Sequence, residues 1–146
     1  MKLIPYLMFF NGACREAFEF YAGALGGRVV GVVTYGDMPA APGQPPLPDA
    51  ARSQIANAHL MAGGASIMGS DSIMGCDGSE TIDGRNDTTV NVDVATIEEA
   101  ERVFNALSAG GQVTMPLAET SWSHRFGMFD DRYGKPWMVN CMKPMP

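Results

Sequence analysis

A degenerate internal repeat constrains this sequence more than any other feature. When the chain is shifted by about 84 residues, Gly26-Gly27 falls on Gly110-Gly111 and Phe20 falls on Phe104. Each half has the predicted order strand, helix, three strands. Because neither half alone can bury both faces of its sheet, the two halves must pair.

The elements of both halves follow from hydrophobic periodicity and turn residues. The first half predicts a strand over Leu3–Phe10, a helix that ends at Gly26-Gly27, a strand over Arg28–Tyr35, a proline-rich loop over Asp37–Arg52, and a hairpin of Gln54–Met61 and Ala65–Gly69. The second half predicts a strand over Thr88–Val94, a helix opened by the capping box Thr96-x-x-Glu99, and a hairpin of Ser123–Phe129 and Pro136–Cys141.

Several motifs carry a resemblance to a known family. They are Pro5-Tyr6-Leu7, Asn11-Gly12, Ala58-His59-Leu60, Thr120-x-Trp122-x-x-Arg125-Phe126-Gly127 and Asp131-Arg132-Tyr133-Gly134-x-Pro136-Trp137-Met138-Val139-Asn140. Together they resemble the PhnB-like branch of the vicinal-oxygen-chelate (glyoxalase/bleomycin resistance/dioxygenase) superfamily. The resemblance implies an α+β, glyoxalase-like fold in which two βαβββ modules form a cupped mixed sheet.

The same resemblance divides the chain as one glyoxalase-like domain over residues 1–146. Module 1 covers about residues 1–70, a connector about 71–87, and module 2 about 88–146. Strand alternation then assigns side chains to the two faces of the sheet. We expect Val90, Val92 and Val94, with their repeat partners Tyr6, Met8 and Phe10, to lie under the helices. Leu7, Phe9, Asn91 and Asp93 are expected to line the concave face.

Composition excludes several classes of partner and location. The net charge of −6 opposes binding to a phosphate backbone, so no nucleic-acid partner is expected. The chain shows no charged and apolar leader and no long apolar run, which predicts a cytoplasmic protein without a membrane partner. Cys14, Cys76 and Cys141 have no metal or redox spacing and are expected to be reduced.

The resemblance also implies where a metal would bind. In metal-dependent members the ligands, usually His and Glu, lie near the start of the first strand and on the last strand of each module. Here those positions hold Pro5 or Tyr6, Thr89 or Val90, Met68, and Met138. None of these is a usual ligand of a hard or borderline divalent ion, so we predict no metal site of the usual kind. Two alternatives stay open: a thioether pair for Cu(I), and a displaced site of His59, Glu119 and Asp131.

This branch of the superfamily is often labelled a demethylubiquinone methyltransferase domain. A nucleoside cofactor usually requires a glycine-rich turn between a strand and a helix. Here Gly63-Gly64 joins two strands and Gly26-Gly27 ends a helix. No cofactor is therefore predicted.

Five residues are candidates for contacting a ligand: His59, Asn91, Glu119, Trp122 and Arg125. His59 is either a hydrogen-bonded, half-buried core residue or a base in a pocket. Arg125 either binds an oxygen anion or forms a surface ion pair with Asp130 or Asp131. Trp122 is either a packing anchor or a ligand contact.

These observations predict a homodimeric glyoxalase-fold protein that binds a small organic molecule, with its reaction undetermined. A metal-dependent lyase, isomerase or dioxygenase is the alternative among enzymes. An antibiotic-sequestering protein is the alternative among binding proteins.

Overall fold

The computed structural model describes residues 2–38, 43, 45–73 and 88–144. The chain divides into two compact units, Met1–Gly84 and Arg85–Pro146. Each unit contains one four-stranded mixed sheet and a helix of three turns, in the order strand, helix, three strands. The predicted α+β class and the two βαβββ modules are confirmed.

The N-terminal unit forms a sheet with the strand order β1-β4-β3-β2. Its elements are β1 (Tyr6–Phe9), α1 (Cys14–Leu25), β2 (Arg28–Thr34), a 3-10 turn (Tyr35–Asp37), α2 (Asp49–Arg52), β3 (Ile55–Ala62) and β4 (Ala65–Asp71). Strand β1 is parallel to β4, and the other pairs are antiparallel. The predicted hairpin about Gly63-Gly64 is present, while the one-turn helix α2 was not predicted from the proline-rich loop.

Helix α1 packs one apolar face on this sheet. Phe18 and Tyr21 are fully buried on the helix, and Phe9 of β1 lies edge-on to Phe18 with ring centroids 6.3 Å apart. Gly26 ends the helix in the left-handed conformation at φ 68°, which a glycine adopts without a steric penalty. The helix stop predicted from the glycine pair is confirmed.

A buried carboxylate, Asp71, joins three elements of the N-terminal unit. Asp71 ends β4 and is only 1% exposed. Its Oδ1 accepts a hydrogen bond from the backbone N–H of Cys14 at 3.0 Å, and its Oδ2 accepts one from that of Ile55 at 2.8 Å. The carboxylate therefore caps the start of α1 and holds the first residue of β3. These two hydrogen bonds stabilise the buried carboxylate and give both backbone N–H donors an acceptor.

The face assigned to β1 from the repeat was wrong. Leu7 and Phe9 are buried on the side that carries α1, whereas Tyr6 and Met8 lie on the opposite side and are 49% and 39% exposed. The shift of 84 residues follows the glycine pairs, whereas the buried residues of the two helices repeat at 83 residues, from Ala17 to Ala100 and from Tyr21 to Phe104. The shift applied to β1 was thus one residue too long, and a shift of one residue exchanges the two faces of a strand.

The C-terminal unit repeats the topology with the strand order β5-β8-β7-β6. Its elements are β5 (Val90–Asp93), α3 (Ile97–Ser108), β6 (Gln112–Ala118), β7 (Ser123–Asp130) and β8 (Pro136–Met142). Thr96 caps α3, since its Oγ1 accepts a hydrogen bond from the N–H of Glu99 at 3.1 Å. The predicted C-terminal hairpin is confirmed.

The core of this unit lies between α3 and one face of the sheet. Phe104 of the helix meets Phe129 edge-on with centroids 5.1 Å apart, and Trp137 and Val139 are buried on the same side. Val90 and Val92 lie opposite Trp137 and Val139 in the ladder, so the face predicted for β5 is confirmed. Asn91 and Asp93 consequently lie on the other face.

A second buried carboxylate, Asp131, organises the turn between β7 and β8. Its Oδ1 accepts hydrogen bonds from the N–H groups of Tyr133 and Lys135, at 2.8 and 3.0 Å. Its Oδ2 accepts one from the indole Nε1 of Trp137 at 2.8 Å. The hairpin turn and the largest core side chain of this unit are thus fixed by one residue.

The described cysteines, Cys14 and Cys141, are both buried and free. Burial, with the nearby Asp71 carboxylate, raises the pKa of Cys14 to about 12, so this thiol stays protonated at neutral pH. Cys76 lies outside the described residues. None of the helices in the described part of the chain has the length and apolarity that a membrane crossing requires.

We expect Asp71→Asn to lower the free energy of unfolding by about 1–3 kcal/mol, because the amide nitrogen must face one of the two buried N–H donors. Urea unfolding followed by circular dichroism measures the loss. Asp37→Asn is the matched control, since Asp37 also accepts a backbone N–H, that of Thr34, but in an exposed turn. Equal losses in the two variants would contradict the role assigned to Asp71.

Candidate functional site

The face of the C-terminal sheet opposite α3, which we call the helix-free face, carries a row of residues across all four strands. Asn91 of β5 lies opposite Met138 of β8, Met138 opposite Met128 of β7, and Met128 opposite Met115 of β6. Directly opposed residues point to the same side of a sheet. We call Met115, Met128 and Met138 the methionine row.

A bulge in the edge strand β6 completes this row. Val113 pairs with Phe129, so regular pairing would place Thr114 opposite Met128, but Met115 occupies that position. The extra residue turns Met115 to the helix-free face, where it is 46% exposed. Bulges commonly re-aim side chains near functional sites.

Aromatic and amide groups continue this face along β7 and β8. Phe126 lies opposite Asn140 in the ladder. The ring of Trp122, which is 52% exposed, meets that of Phe126 edge-on with centroids 5.6 Å apart. The side-chain oxygen assigned to Asn140 is 2.6 Å from the Oγ of the buried Ser123. The face therefore combines thioether, aromatic and carboxamide groups.

The charged residues at helix-free positions of this sheet are acidic. Asp93 lies two residues beyond Asn91 on β5, and Asp130 lies two residues beyond Met128 on β7. Among the described residues, no Lys or Arg occupies a helix-free position on β5, β6, β7 or β8. This part of the surface favours a neutral or cationic group over an anion.

Arg125 lies on the other side of the sheet. It is opposite the buried Cys141, and its Nε is 3.7 Å from Oε1 of Glu101 on α3. Its Nη1 also donates a hydrogen bond to the backbone oxygen of His124 at 2.7 Å. The ion-pair partner is thus Glu101, which corrects the expected pairing with Asp130 or Asp131.

Glu119 lies in the loop after β6 and is engaged by Lys143. The Nζ of Lys143 is 2.7 Å from Oε1 of Glu119. This hydrogen bond and the charge of Lys143 hold the pKa of Glu119 below its usual range. The carboxylate is therefore ionised at neutral pH, and it joins the loop to the end of β8.

His59 lies in the N-terminal unit, on the face of its sheet opposite α1. It stands opposite Met68 in the β3–β4 ladder, and its Nε2 is 3.1 Å from the Oγ of Ser66. The ring is half-buried and hydrogen-bonded, as the first of the two interpretations of His59 requires. A serine hydroxyl orients an imidazole without supplying the charge of a carboxylate.

The residues at the ligand positions of the superfamily do not fit a hard or borderline divalent ion. Tyr6 lies opposite Met68, and Asn91, rather than Thr89 or Val90, lies opposite Met138. The described residues contain no group of three His, Cys, Asp or Glu side chains that could hold a metal ion. The alternative, displaced metal site included Asp131. Both carboxylate oxygens of this residue already accept hydrogen bonds within the C-terminal unit.

Sequence reasoning placed Asn91 and Asp93 on this face and singled out Trp122, but it did not single out Phe126, Met128 or Met115. Alternation along β7 was a sufficient signal for Phe126 and Met128, which share a side with Met138 and Asn140 of the paired strand. Met115 could not be placed, since the bulge in β6 has no signature in the sequence.

Comparison with known proteins agrees with this geometry. Residues 3–139 match the model of the Glyoxalase/Bleomycin resistance protein/Dioxygenase superfamily. Protein YjdN of Escherichia coli (strain K12) is 34% identical over 154 residues, covering 100% of this chain and 99% of YjdN.

Two solved structures are similar over nearly the whole length. Protein PA1353 from Pseudomonas aeruginosa has a TM-score of 0.83 and 38% identity, covering 99% of each chain. The PhnB protein from Bacillus cereus, described as a candidate 3-demethylubiquinone-9 3-methyltransferase, has a TM-score of 0.70 and 26% identity, covering 96% of this chain and 98% of its own. The repeat, the two βαβββ units and these matches show that the chain belongs to the glyoxalase/bleomycin resistance/dioxygenase superfamily and resembles its PhnB-like members.

Proposed function

We propose that the protein binds a small, partly apolar organic molecule on the helix-free face of its C-terminal sheet. The observation that supports this is the row of Asn91 and three methionines in register across four strands. An apolar wall with a few placed polar groups is the usual composition of a small-molecule site. Flexible thioethers also adapt to ligands of different shape and contact aromatic rings favourably.

Asn91 and Trp122 are the residues we assign to ligand contact from this unit. Within the described residues, the Asn91 carboxamide makes no hydrogen bond, so its donors and its acceptor are available to a ligand. Trp122 offers an exposed ring edge and face beside Phe126. We propose His59 separately, as a ligand contact of the N-terminal unit taken by itself, where Ser66 holds its ring on the face opposite α1.

The charge of the face selects among ligands. Asp93 and Asp130 disfavour an anion, and Arg125 is paired with Glu101 on the helix side. We therefore propose a neutral or cationic ligand with aromatic or carbonyl groups, in place of the oxygen anion expected from the sequence. Glu119, paired with Lys143, and Arg125 are proposed to support the neighbouring strands rather than to contact the ligand.

We also propose that the two units act as one functional domain in a cytoplasmic homodimer. Support for the dimer comes from β2, the outer strand of its sheet, which exposes Val30, Val32 and Val33. An exposed apolar edge strand is a template for pairing with a second chain. The sheets of two copies could join side by side, or the copies could exchange units.

A fragment screen by ligand-observed NMR, with amines, neutral aromatics, carbonyl compounds and carboxylic acids, tests the site. We expect Trp122→Ala to weaken binding by about tenfold, through lost ring contact. Asn91→Ala is expected to weaken it by about fivefold, through one lost hydrogen bond. Arg125→Ala is the matched control from the other side of the sheet. Hits dominated by acids that lose affinity only in Arg125→Ala would refute the proposed location.

Divalent metals provide a separate test. We expect zinc, nickel, manganese and iron(II) to leave the melting temperature unchanged, because Tyr6, Met68, Asn91 and Met138 are poor ligands for these ions. An ion that binds the native state must raise its stability by mass action. A saturable rise in melting temperature that disappears in His59→Ala would establish a displaced metal site and overturn this expectation.

Size-exclusion chromatography with light scattering tests the assembly. We expect a dimer mass at micromolar concentration, and a monomer for Val33→Lys if the β2 edges pair, since lysine on an edge strand opposes pairing. A dimer that persists in Val33→Lys would indicate exchange of units. A monomeric wild-type protein would contradict the homodimer.

A further inference from the structure

We propose that the methionine row, Met115, Met128 and Met138, binds one soft monovalent cation, Cu(I) or Ag(I), through its thioether sulfurs. This site does not depend on the organic ligand of the preceding section, although both use the helix-free face. Thioethers select soft ions such as Cu(I) and are poor ligands for the hard ions that oxygen-rich sites bind.

The sheet geometry brings the three sulfurs together. Met128 lies on β7 between Met115 of β6 and Met138 of β8, and each neighbour is directly opposite it. Opposed Cα atoms in antiparallel pairs are about 4.5–5.5 Å apart. Because methionine is unbranched and has three rotatable side-chain bonds, the outer two side chains can lean toward Met128. A three-sulfur site above Met128 therefore requires only rotamer changes.

Two features of the fold indicate more than an apolar surface. Regular pairing of β6 would place Thr114 opposite Met128, but the bulge places Met115 there. The third sulfur of the row is therefore present because of the bulge. Met115 is also 46% exposed on an edge strand. An ion from solvent can therefore reach the row.

The electrostatics of the face favour a monovalent cation. Asp93 and Asp130 stand two residues from Asn91 and Met128 on the same side of their strands. Neutral sulfur ligands leave the charge of the ion uncompensated, and the nearby carboxylates offset it through space without coordinating it. Asn91, opposite Met138 at the end of the row, adds no charge to this face.

Silver titration of protein carrying methyl-¹³C methionine tests the proposal, because Ag(I) has the same ligand preference and is stable in air. Cys76→Ser serves as the background for every sample, since a thiol competes for silver. Cys14 and Cys141 are buried and do not compete while the fold is intact, which circular dichroism of each sample checks. We expect saturation at one equivalent, with shifts in the methyl signals of the three row residues.

Met128→Leu keeps the apolar volume and removes the central sulfur. Mutation of a residue that hydrogen-bonds to a metal ligand commonly lowers metal affinity about ten- to a hundredfold. Loss of the ligand itself should therefore weaken silver binding at least about tenfold. Met142→Leu is the matched control, because Met142 lies at the far end of β8, four residues from Met138, and is 49% exposed. It should leave the affinity unchanged.

Equal affinity in Met128→Leu and in the background protein would overturn the proposal, as would shifts confined to methionines outside the row. A competition assay with a Cu(I)-specific chelator under anaerobic conditions repeats the comparison with the second ion. Because the titration uses protein without organic ligand, its failure leaves the small-molecule site standing. A failed fragment screen likewise leaves the silver result intact.

Discussion

The buried carboxylate of Asp71 is the interaction on which the N-terminal unit depends. A charge that is only 1% exposed is tolerated because its two oxygens accept hydrogen bonds from the first helical N–H of α1 and the first N–H of β3. The residue thereby fixes where the helix begins relative to the sheet. In the C-terminal unit the buried carboxylate is that of Asp131. It accepts hydrogen bonds from three N–H donors and thereby fixes the β7–β8 turn.

Both units use the same device to bring the helix close to the sheet. A Cβ at Gly69 would lie within 3.1 Å of the ring of Phe18, and one at Gly127 would lie 2.6 Å from the ring of Phe104. A phenylalanine of each helix therefore packs directly on strand backbone, at a position where only glycine fits. Because the helix side is filled in this way, the chemistry of each sheet is left to the face without a helix.

The sequence was sufficient for the architecture because the repeat, the glycine pairs and the C-terminal hairpin are all local or periodic signals. It was insufficient for the faces of β1, because the glycine pairs repeat at 84 residues while the buried residues of the two helices, such as Ala17 and Ala100, repeat at 83. That error of one residue assigned Leu7 and Phe9 to the wrong side. The partner of Arg125 could not be found either. Glu101 lies on a different element, and only the packing of α3 on β7 brings the two together.

The four positions at which the resemblance would place metal ligands carry uncharged side chains in this chain. Tyr6 stands opposite Met68 in one sheet, and Asn91 stands opposite Met138 in the other. Their atoms are neutral, and a hard divalent ion would lose its hydration without gaining carboxylate or imidazole ligands. No single substitution creates such a site. In the C-terminal unit Met138 is continued by Met128 and Met115 into a row of thioether side chains across three strands, so the face is soft and apolar because of the whole row.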